Sequence, residues 1–276
     1  MRKALPIILF FVFSSIRCIS QTLSNHSGGQ NEAIANTSST LSNYGAVFSN
    51  VAGLADIEEI VLSVSYRVLP NALWQNNMLA SGYYPTKLGT IGAGFTRVGD
   101  NLFNQQTISL GFANRFGIAS IGIKANYLTY AIEGYNSRSI PYFDIGGIAE
   151  LTPSLFIGAY ITNVSQTRIA EFQDERIPTL LSLGLSYRPN SKLMANIEVQ
   201  QDLEYEPTFK AGLAYKFIEY FTFRTGINTL PNQQFIGFGF NPDWNSIAID
   251  YSMSHNRFWG LGHQLSISYQ VNKSEK

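Results

Sequence analysis

From about Ile60 to Val271 the chain alternates apolar and polar residues in run after run, and the connections between runs alternate between short turns and longer loops. A period of two sends one set of side chains to each face of a sheet. Leu181, Leu183, Leu185 and Tyr187 interleave with Ser182, Gly184 and Ser186, and Leu265, Ile267, Tyr269 and Val271 interleave with Gln264, Ser266, Ser268 and Gln270. The rhythm recurs at Ile108, Leu110 and Phe112, at Leu155 to Ile161, at Phe209 to Phe217 and at Ile247 to Met253. A tilted membrane-crossing strand needs roughly 9 to 11 residues, and runs of that length follow one another almost without interruption.

Charge decides what such a sheet faces. Only 14% of the residues are Asp, Glu, Lys or Arg, against roughly 25% in an ordinary soluble domain, while 13% are aromatic. A soluble sandwich would account for the alternation but not for the scarcity of charge. After the first twenty residues no apolar run is long enough for a spanning helix, so a membrane protein of this sequence has to be a closed barrel, the other structure that pairs all its backbone groups. The fold class expected is therefore all-β, a transmembrane antiparallel barrel with an N-terminal plug segment.

The alternation predicts strands at Ile60–Val68, Asn77–Tyr84, Lys87–Val98, Gln105–Arg115, Ala119–Tyr130, Tyr142–Leu151 and Leu155–Val164. They continue at Thr179–Arg188, Lys192–Gln200, Pro207–Phe217, Tyr220–Asn228, Gln233–Phe240, Ser246–His255 and Leu261–Val271. That is about 14 strands, an even number within the range of bacterial single-chain barrels. Tight connections follow the even-numbered strands, at Pro85-Thr86, Phe116-Gly117-Ile118, Thr152-Pro153-Ser154, Pro189-Asn190-Ser191, Ile218-Glu219 and Asn241 to Trp244. Gaps after odd-numbered strands are mostly longer, as at Leu69–Asn76, Ala131–Pro141 and Ser165–Pro178. Bacterial barrels place short turns in the periplasm and longer loops outside, so both termini are expected to be periplasmic. Tyr66, Tyr83, Tyr84, Tyr127, Tyr130, Tyr142, Tyr187, Tyr215, Tyr251 and Tyr269 tend toward strand ends, as interfacial girdles require.

Residues 1–20 read as a secretory signal, with Arg2 and Lys3 at its start, an apolar core from Leu5 to Phe13, and Ser20 before Gln21 at the cleavage position. Cys18 follows Arg17, a poor fit to lipoprotein processing, so cleavage near Gln21 removes the one cysteine and with it disulfide and thiolate chemistry. Losing Arg2, Lys3 and Arg17 leaves 16 basic against 19 acidic residues, and no basic patch invites nucleic acid. The expected organisation is a leader over 1–20, a plug segment over 21–58, a barrel over 59–271 and a short tail over 272–276.

With the apolar phase facing lipid, Lys124, Asn126, Asn196, Glu198, Lys210, Arg224 and Asp250 face the lumen. Glu198 and Lys210 fall nearly opposite one another on adjacent strands and are expected to pair, with Arg224 and Asp250 extending the polar layer. Such a layer either sets selectivity or stiffens the wall, and stiffening is the commoner role for any single residue. Gly92, Gly94, Gly146, Gly147, Gly237 and Gly239 permit a strand kink or a close approach of the plug, with simple curvature of the wall the preferred reading. The segment ahead of the first strand contains Gly28-Gly29, Ala33-Ile34-Ala35, a Ser, Thr and Asn rich stretch and Asn50-Val51-Ala52-Gly53-Leu54-Ala55. Small and polar, with a short helix expected near Tyr44–Ser49, it fits inside a lumen or forms a disordered leader.

The paired glycine at Gly28 and Gly29, Ala33 and Ala35, and the stretch Asn50, Ala52, Gly53, Leu54 and Ala55 resemble the N-terminal region of the PorV/PorQ family, itself similar to FadL-type fatty-acid channels. Ala248 to Tyr251 followed by Leu261 to Ser266 resembles that family's last hairpin. Val51 departs from it, standing where the family pattern has proline. From the residues themselves no cofactor is expected; the resemblance implies a 14-stranded FadL-like outer-membrane barrel of Bacteroidetes-like bacteria with an N-terminal plug and a role as accessory or shuttle in type IX protein secretion. Its partners would be secretion components or exported proteins, and the loop Ser165–Pro178, with Arg168, Glu171, Asp174, Glu175 and Arg176, is the contact expected. The alternative is a FadL-like transporter in which the plug gates a pocket for apolar molecules. An enzyme fits worst: Gly-x-Ser-x-Gly and His-Glu-x-x-His motifs are missing, no metal constellation stands out among His26, His255 and His263, and Ser254 and His255, as strand neighbours, point to opposite faces.

Overall fold

The computed structural model describes residues 27–169, 176–203, 205–242 and 246–271. The leader, Cys18, His26, Glu171, Asp174, Glu175, the turn at Asp243-Trp244 and the tail 272–276 lie outside the described residues. Strands β1 (Ile60–Val68), β2 (Asn77–Thr86), β3 (Gly89–Gly99), β4 (Phe103–Phe116), β5 (Ala119–Ile132), β6 (Arg138–Thr152) and β7 (Leu155–Thr162) form the first half of one sheet. Strands β8 (Leu180–Asn190), β9 (Leu193–Asp202), β10 (Thr208–Ile218), β11 (Phe221–Asn228), β12 (Gln233–Phe240), β13 (Ile247–Asn256) and β14 (Gly260–Val271) complete it. Each strand pairs antiparallel with its sequence neighbours, and β1 pairs with β14 from Ile60↔Val271 to Val68↔His263, closing a barrel of 14 strands. Among the described residues no helix is long and apolar enough to cross a membrane.

The alternation read from the sequence is the alternation of the wall. Leu62, Val64 and Tyr66 of β1, Ile108, Leu110 and Phe112 of β4, and Leu265, Ile267 and Tyr269 of β14 are exposed on the outside, while Ser65, Ser109 and Ser266 are buried within. An apolar outside around a polar inside is the inverse of a soluble protein, and it fits a hydrocarbon solvent.

Several local expectations fail. The loop expected over Ala131–Pro141 is shorter, because β6 begins at Arg138, which pairs with Tyr130. The first tight turn is not Pro85-Thr86, which still pair with Thr90 and Gly89, but Lys87-Leu88. The Thr86 hydroxyl closes it, donating to the Gly89 carbonyl (2.6 Å) and accepting the Leu88 amide (3.2 Å), and Gly89 takes the positive φ of 138° that the turn demands. The girdle is also thinner than expected, because Tyr83 and Tyr142 are buried inside the barrel. Tyr83 and Tyr84 are chain neighbours on one strand, so only one can face out, and Tyr84 is 59% exposed while Tyr83 is 2% exposed.

Leu110, near the middle of β4 and facing out, tests which solvent the wall meets. Leu110→Arg is expected to destabilise the barrel in lipid vesicles by about 2–4 kcal/mol, measured by reversible denaturant unfolding, with Ser109→Ala on the inner face costing far less.

Candidate functional site

The interior of the barrel is occupied by the chain's own N-terminal segment. From Ser27 it makes one helical turn, α1 (Gly29–Glu32), beside β12–β14, then passes through short 3-10 turns at Ala46–Phe48 and Val51–Asp56 beside β3–β6, and leaves into β1. Nearly every residue from Ser27 to Leu54 is buried or half-buried. A chain segment in such a place has to satisfy its own backbone, and it does so by local turns and by bonds to the wall.

Those bonds use the charged residues of the inner face. Glu198 accepts the Ser39 amide (2.9 Å) and hydroxyl (2.5 Å) on Oε2 and pairs with Lys210 Nζ (3.1 Å) through Oε1. Lys210 stands directly across from it in the β9–β10 register. Lys124 Nζ donates to the Val47 carbonyl (2.9 Å) and pairs with Asp144 (2.9 Å). Arg224 Nη1 lies 2.6 Å from Asp250 Oδ1. Arg67, whose part was not apparent in the sequence, holds Glu32 of the interior segment at 2.9 Å, both groups deeply buried. Asn126 donates to Asp144 (3.0 Å), and Asn196 donates to the Thr37 carbonyl (3.1 Å).

The motif residues of the N-terminal segment lie at its contacts with the wall, except Gly53, which packs within the segment. Gly28 takes φ 97°, a left-handed conformation that suits glycine alone. The Gly29 amide donates to Ser266 Oγ (2.7 Å). Asn50 is the most connected: its Nδ2 donates to the carbonyls of Ser39 (2.5 Å) and Gly147 (3.0 Å), and its Oδ1 accepts the Ala52 amide (3.1 Å). Gly53 lies against the Leu41 carbonyl, with no room for a Cβ. Leu54 joins Val47, Val51 and Ile57 in an apolar cluster with Val61, Tyr83 and Ala113. Val51 opens its 3-10 turn, a position that proline also tolerates because its amide has no partner within the turn. Burial, and behind it the charges of Glu59 and Asp250, hold the Tyr44 hydroxyl above the ordinary phenol range, so it stays neutral.

Glycines, read from the sequence as curvature, are where the segment touches the wall. A Cβ on Gly92 would lie 3.0 Å from the Leu54 methyls, one on Gly111 2.9 Å from Val51, one on Gly122 2.8 Å from Ala52 N, and one on Gly226 2.5 Å from the Ile34 carbonyl carbon. They sit in cross-strand pairs, Gly92↔Gly111, Gly122↔Gly146, Gly158↔Gly184 and Gly212↔Gly226. The signal was present in the phase: these glycines fall on inward positions, whereas Gly147, facing out, meets only Ser120 O at 3.7 Å.

Nearer the long loops the inner wall changes character. Leu128, Ile140 and Tyr142 form an apolar cluster with Ile177, and Tyr130 and Ile169 pack against it. The connection after β7 is folded inward by Asn163, whose Nδ2 donates to the Ile177 carbonyl (2.7 Å) and whose Oδ1 accepts the Thr167 amide (3.0 Å). The backbones of Arg168 and Arg176 pair in an isolated antiparallel β-bridge across this loop. Among the described residues no group of His, Cys, Asp and Glu could hold a metal ion. Ser254 is buried inside while His255 is exposed outside.

The glycine contacts predict a selective defect. Gly226→Val is expected to cost about 1–3 kcal/mol through overpacking and to unseat the segment from an otherwise folded barrel, exposing residues 28–57 to protease. Gly147→Ala is expected to leave the protease pattern unchanged.

No protein-family model matches the chain, and no curated protein matches it. Solved structures do. A TodX monoaromatic hydrocarbon channel with the deltaS2 change superposes with a TM-score of 0.67 at 13% identity, covering 91% of this chain and 100% of that one. The Pseudomonas putida toluene transporter TodX gives 0.65 at 12% identity over 89% and 98%. A Pseudomonas aeruginosa FadL homologue gives 0.59 at 12% identity over 89% and 98%. At such identities the likeness is one of fold alone, a closed antiparallel barrel of the kind those channels share.

Proposed function

We propose that the protein is an outer-membrane passage for apolar small molecules, closed by its N-terminal segment acting as a plug, with both termini in the periplasm. The observation that carries this reading is the apolar cluster of Leu128, Ile140, Tyr142 and Ile177 within the barrel on the long-loop side, separate from the apolar cluster in which the N-terminal segment meets Val61, Tyr83 and Ala113. A polar pore has no need of such a cluster. The cluster is closed in this conformation, and an apolar solute that parts it would gain about 25 cal/mol for each Å² of surface it buries. The motif residues Gly28, Gly29, Asn50, Ala52, Gly53 and Leu54 seat the plug, and Lys124, Glu198, Lys210, Arg224 and Asp250 hold its polar surroundings in register. The fold shared with hydrocarbon and toluene channels supports the same reading.

A second reading, an accessory or shuttle of type IX secretion of PorV/PorQ type, has one observation in its favour. The two stretches that carry that resemblance meet in space: Gly29 lies against the last hairpin, bonded to Ser266 and within 3.0 Å, measured from a built Cβ, of the Asp250 carbonyl. The partner surface in this reading is the loop 165–178.

One preparation separates the two. Purified protein is titrated with a monoaromatic hydrocarbon or a medium-chain fatty acid, and Ile177→Asp is expected to weaken binding about tenfold or more. Equal binding by the variant, or none by the wild type, overturns the passage reading. Co-purification of exported proteins that is lost on deleting the loop 165–178 would move the assignment to secretion.

A further inference from the structure

On the outer face of β1–β3, at the long-loop rim, the wall carries a notch of about 250 Å³. Its floor is one row of outward residues in register, Tyr66, Met78 and Arg97. Leu73 and Asn76, from the β1–β2 connection, form one side, and the turn from Gly99 to Asn101 forms the other. The Gly99 amide donates to the Asn76 carbonyl (3.0 Å), tying the two sides together.

The row marks a boundary. One pair of residues further toward the short turns, the outward positions are Val64, Ala80, Phe95 and Ile108, all apolar. In the row itself the sequence passes from Tyr66 and Met78 to Arg97, then to Gln106 and Thr129. Beside the notch Trp74 meets Trp259 edge to face at 5.5 Å, a pairing suited to the depth where acyl chains give way to headgroups. Arg97 therefore stands at the level of the headgroups, facing away from the lumen.

Arg97 has no counter-ion and no hydrogen-bond partner among the described residues. Asp100 lines the same notch and keeps its charge there, but its Oδ1 accepts the Leu102 and Phe103 amides (2.8 and 3.0 Å) and the carboxylate makes no ion pair with Arg97. Asn76 accepts the Leu69 amide through Oδ1 (2.9 Å), which leaves its Nδ2 as a second donor. A guanidinium in a notch with an apolar floor, next to a free amide donor, matches a phosphate whose acyl chains continue down the wall.

We infer that this notch binds the phosphorylated headgroup of an outer-leaflet glycolipid, with Arg97 as the phosphate ligand and Tyr66, Leu73 and Met78 against the first acyl segments. The inference rests on the orientation proposed above, with the long loops outside.

The test uses the full chain extracted from native outer membrane in mild detergent, with retained lipid identified by native mass spectrometry. The wild type is expected to carry a phosphorylated glycolipid. Arg97→Gln is expected to lower the retained fraction about tenfold, while Arg257→Gln on the β13–β14 loop leaves it within about twofold. Heat-modifiable gel migration verifies that each variant is folded. Wild-type protein without glycolipid, equal retention by Arg97→Gln, or an Arg97-dependent phospholipid in its place overturns the site. Labelling of Tyr135→Cys in intact cells by a membrane-impermeant reagent reads the orientation separately. An unlabelled cysteine overturns both orientation and site, and a labelled one without Arg97-dependent glycolipid overturns the site alone.

Discussion

The pairing of β1 with β14 along the whole of β1 is the constraint on which everything else depends. In hydrocarbon an unpaired strand edge would leave a row of amides and carbonyls without partners, each costing several kcal/mol. Closure removes the edge, and it also fixes the interior. Once the sheet is a ring, each inward position has a set place, and the N-terminal segment has to fit a cavity whose width the strand number has already set. The inward glycines are the consequence. They bring the wall close enough for the segment to use wall carbonyls and hydroxyls as its own hydrogen-bond partners.

The interior charges belong to the same constraint. Glu198, Lys210, Lys124, Asp144, Arg224 and Asp250 are buried and partnered. Buried ion pairs give little net stability, because desolvation offsets most of their attraction, yet removing one partner is costly since it strands the other. Their effect here is one of register. Glu198 joins β9, β10 and Ser39 at a single carboxylate, and a residue slip in either strand would take its partner to the lipid face.

The strands were legible because a wall between lipid and a polar interior leaves a strict period of two, and β1 and β12 fall where the alternation placed them. Turn positions were less legible. Proline signalled a turn at Pro85, but a proline can end a strand as readily as it can start a turn, and the Thr86 hydroxyl and Gly89 settled the matter two residues on. The inward charges could be read from phase alone, since a charge on the lipid side costs most at the hydrocarbon depth where these residues lie. Arg67 could have been found the same way but was obscured by Tyr66 and Val68 on either side. Phase placed the glycines inside, but their partners were not legible, because a glycine has no side chain to declare one and the partner lies far away in sequence: Gly226 meets Ile34, and Gly122 meets Val51 and Ala52. Tyr142 was read by position near a strand end, although its phase, shared with Asp144, already placed it inside.

The interior segment is held unequally along its length, and this bears on the passage proposed above. Toward the long loops Glu32 and Arg67 pair with side-chain exposures of 1% and 5%. Toward the short turns, Arg115 pairs with Asp56 and Glu150, and these three side chains are 41%, 30% and 33% exposed. Water and salt screen such an exposed cluster, and pairs of that kind contribute little. The apolar contacts of Val51 and Leu54 with the wall, together with the Asn50 amide, then provide most of what holds the turn-side half in place. In that proposed passage a solute coming from the apolar cluster at the other end would meet the tightly paired half first. Passage along the axis would have to break the Glu32–Arg67 and Ser39–Glu198 contacts in low dielectric, where they are strongest, so the resistance to flow is concentrated at the polar half of the seal and not at its solvated end.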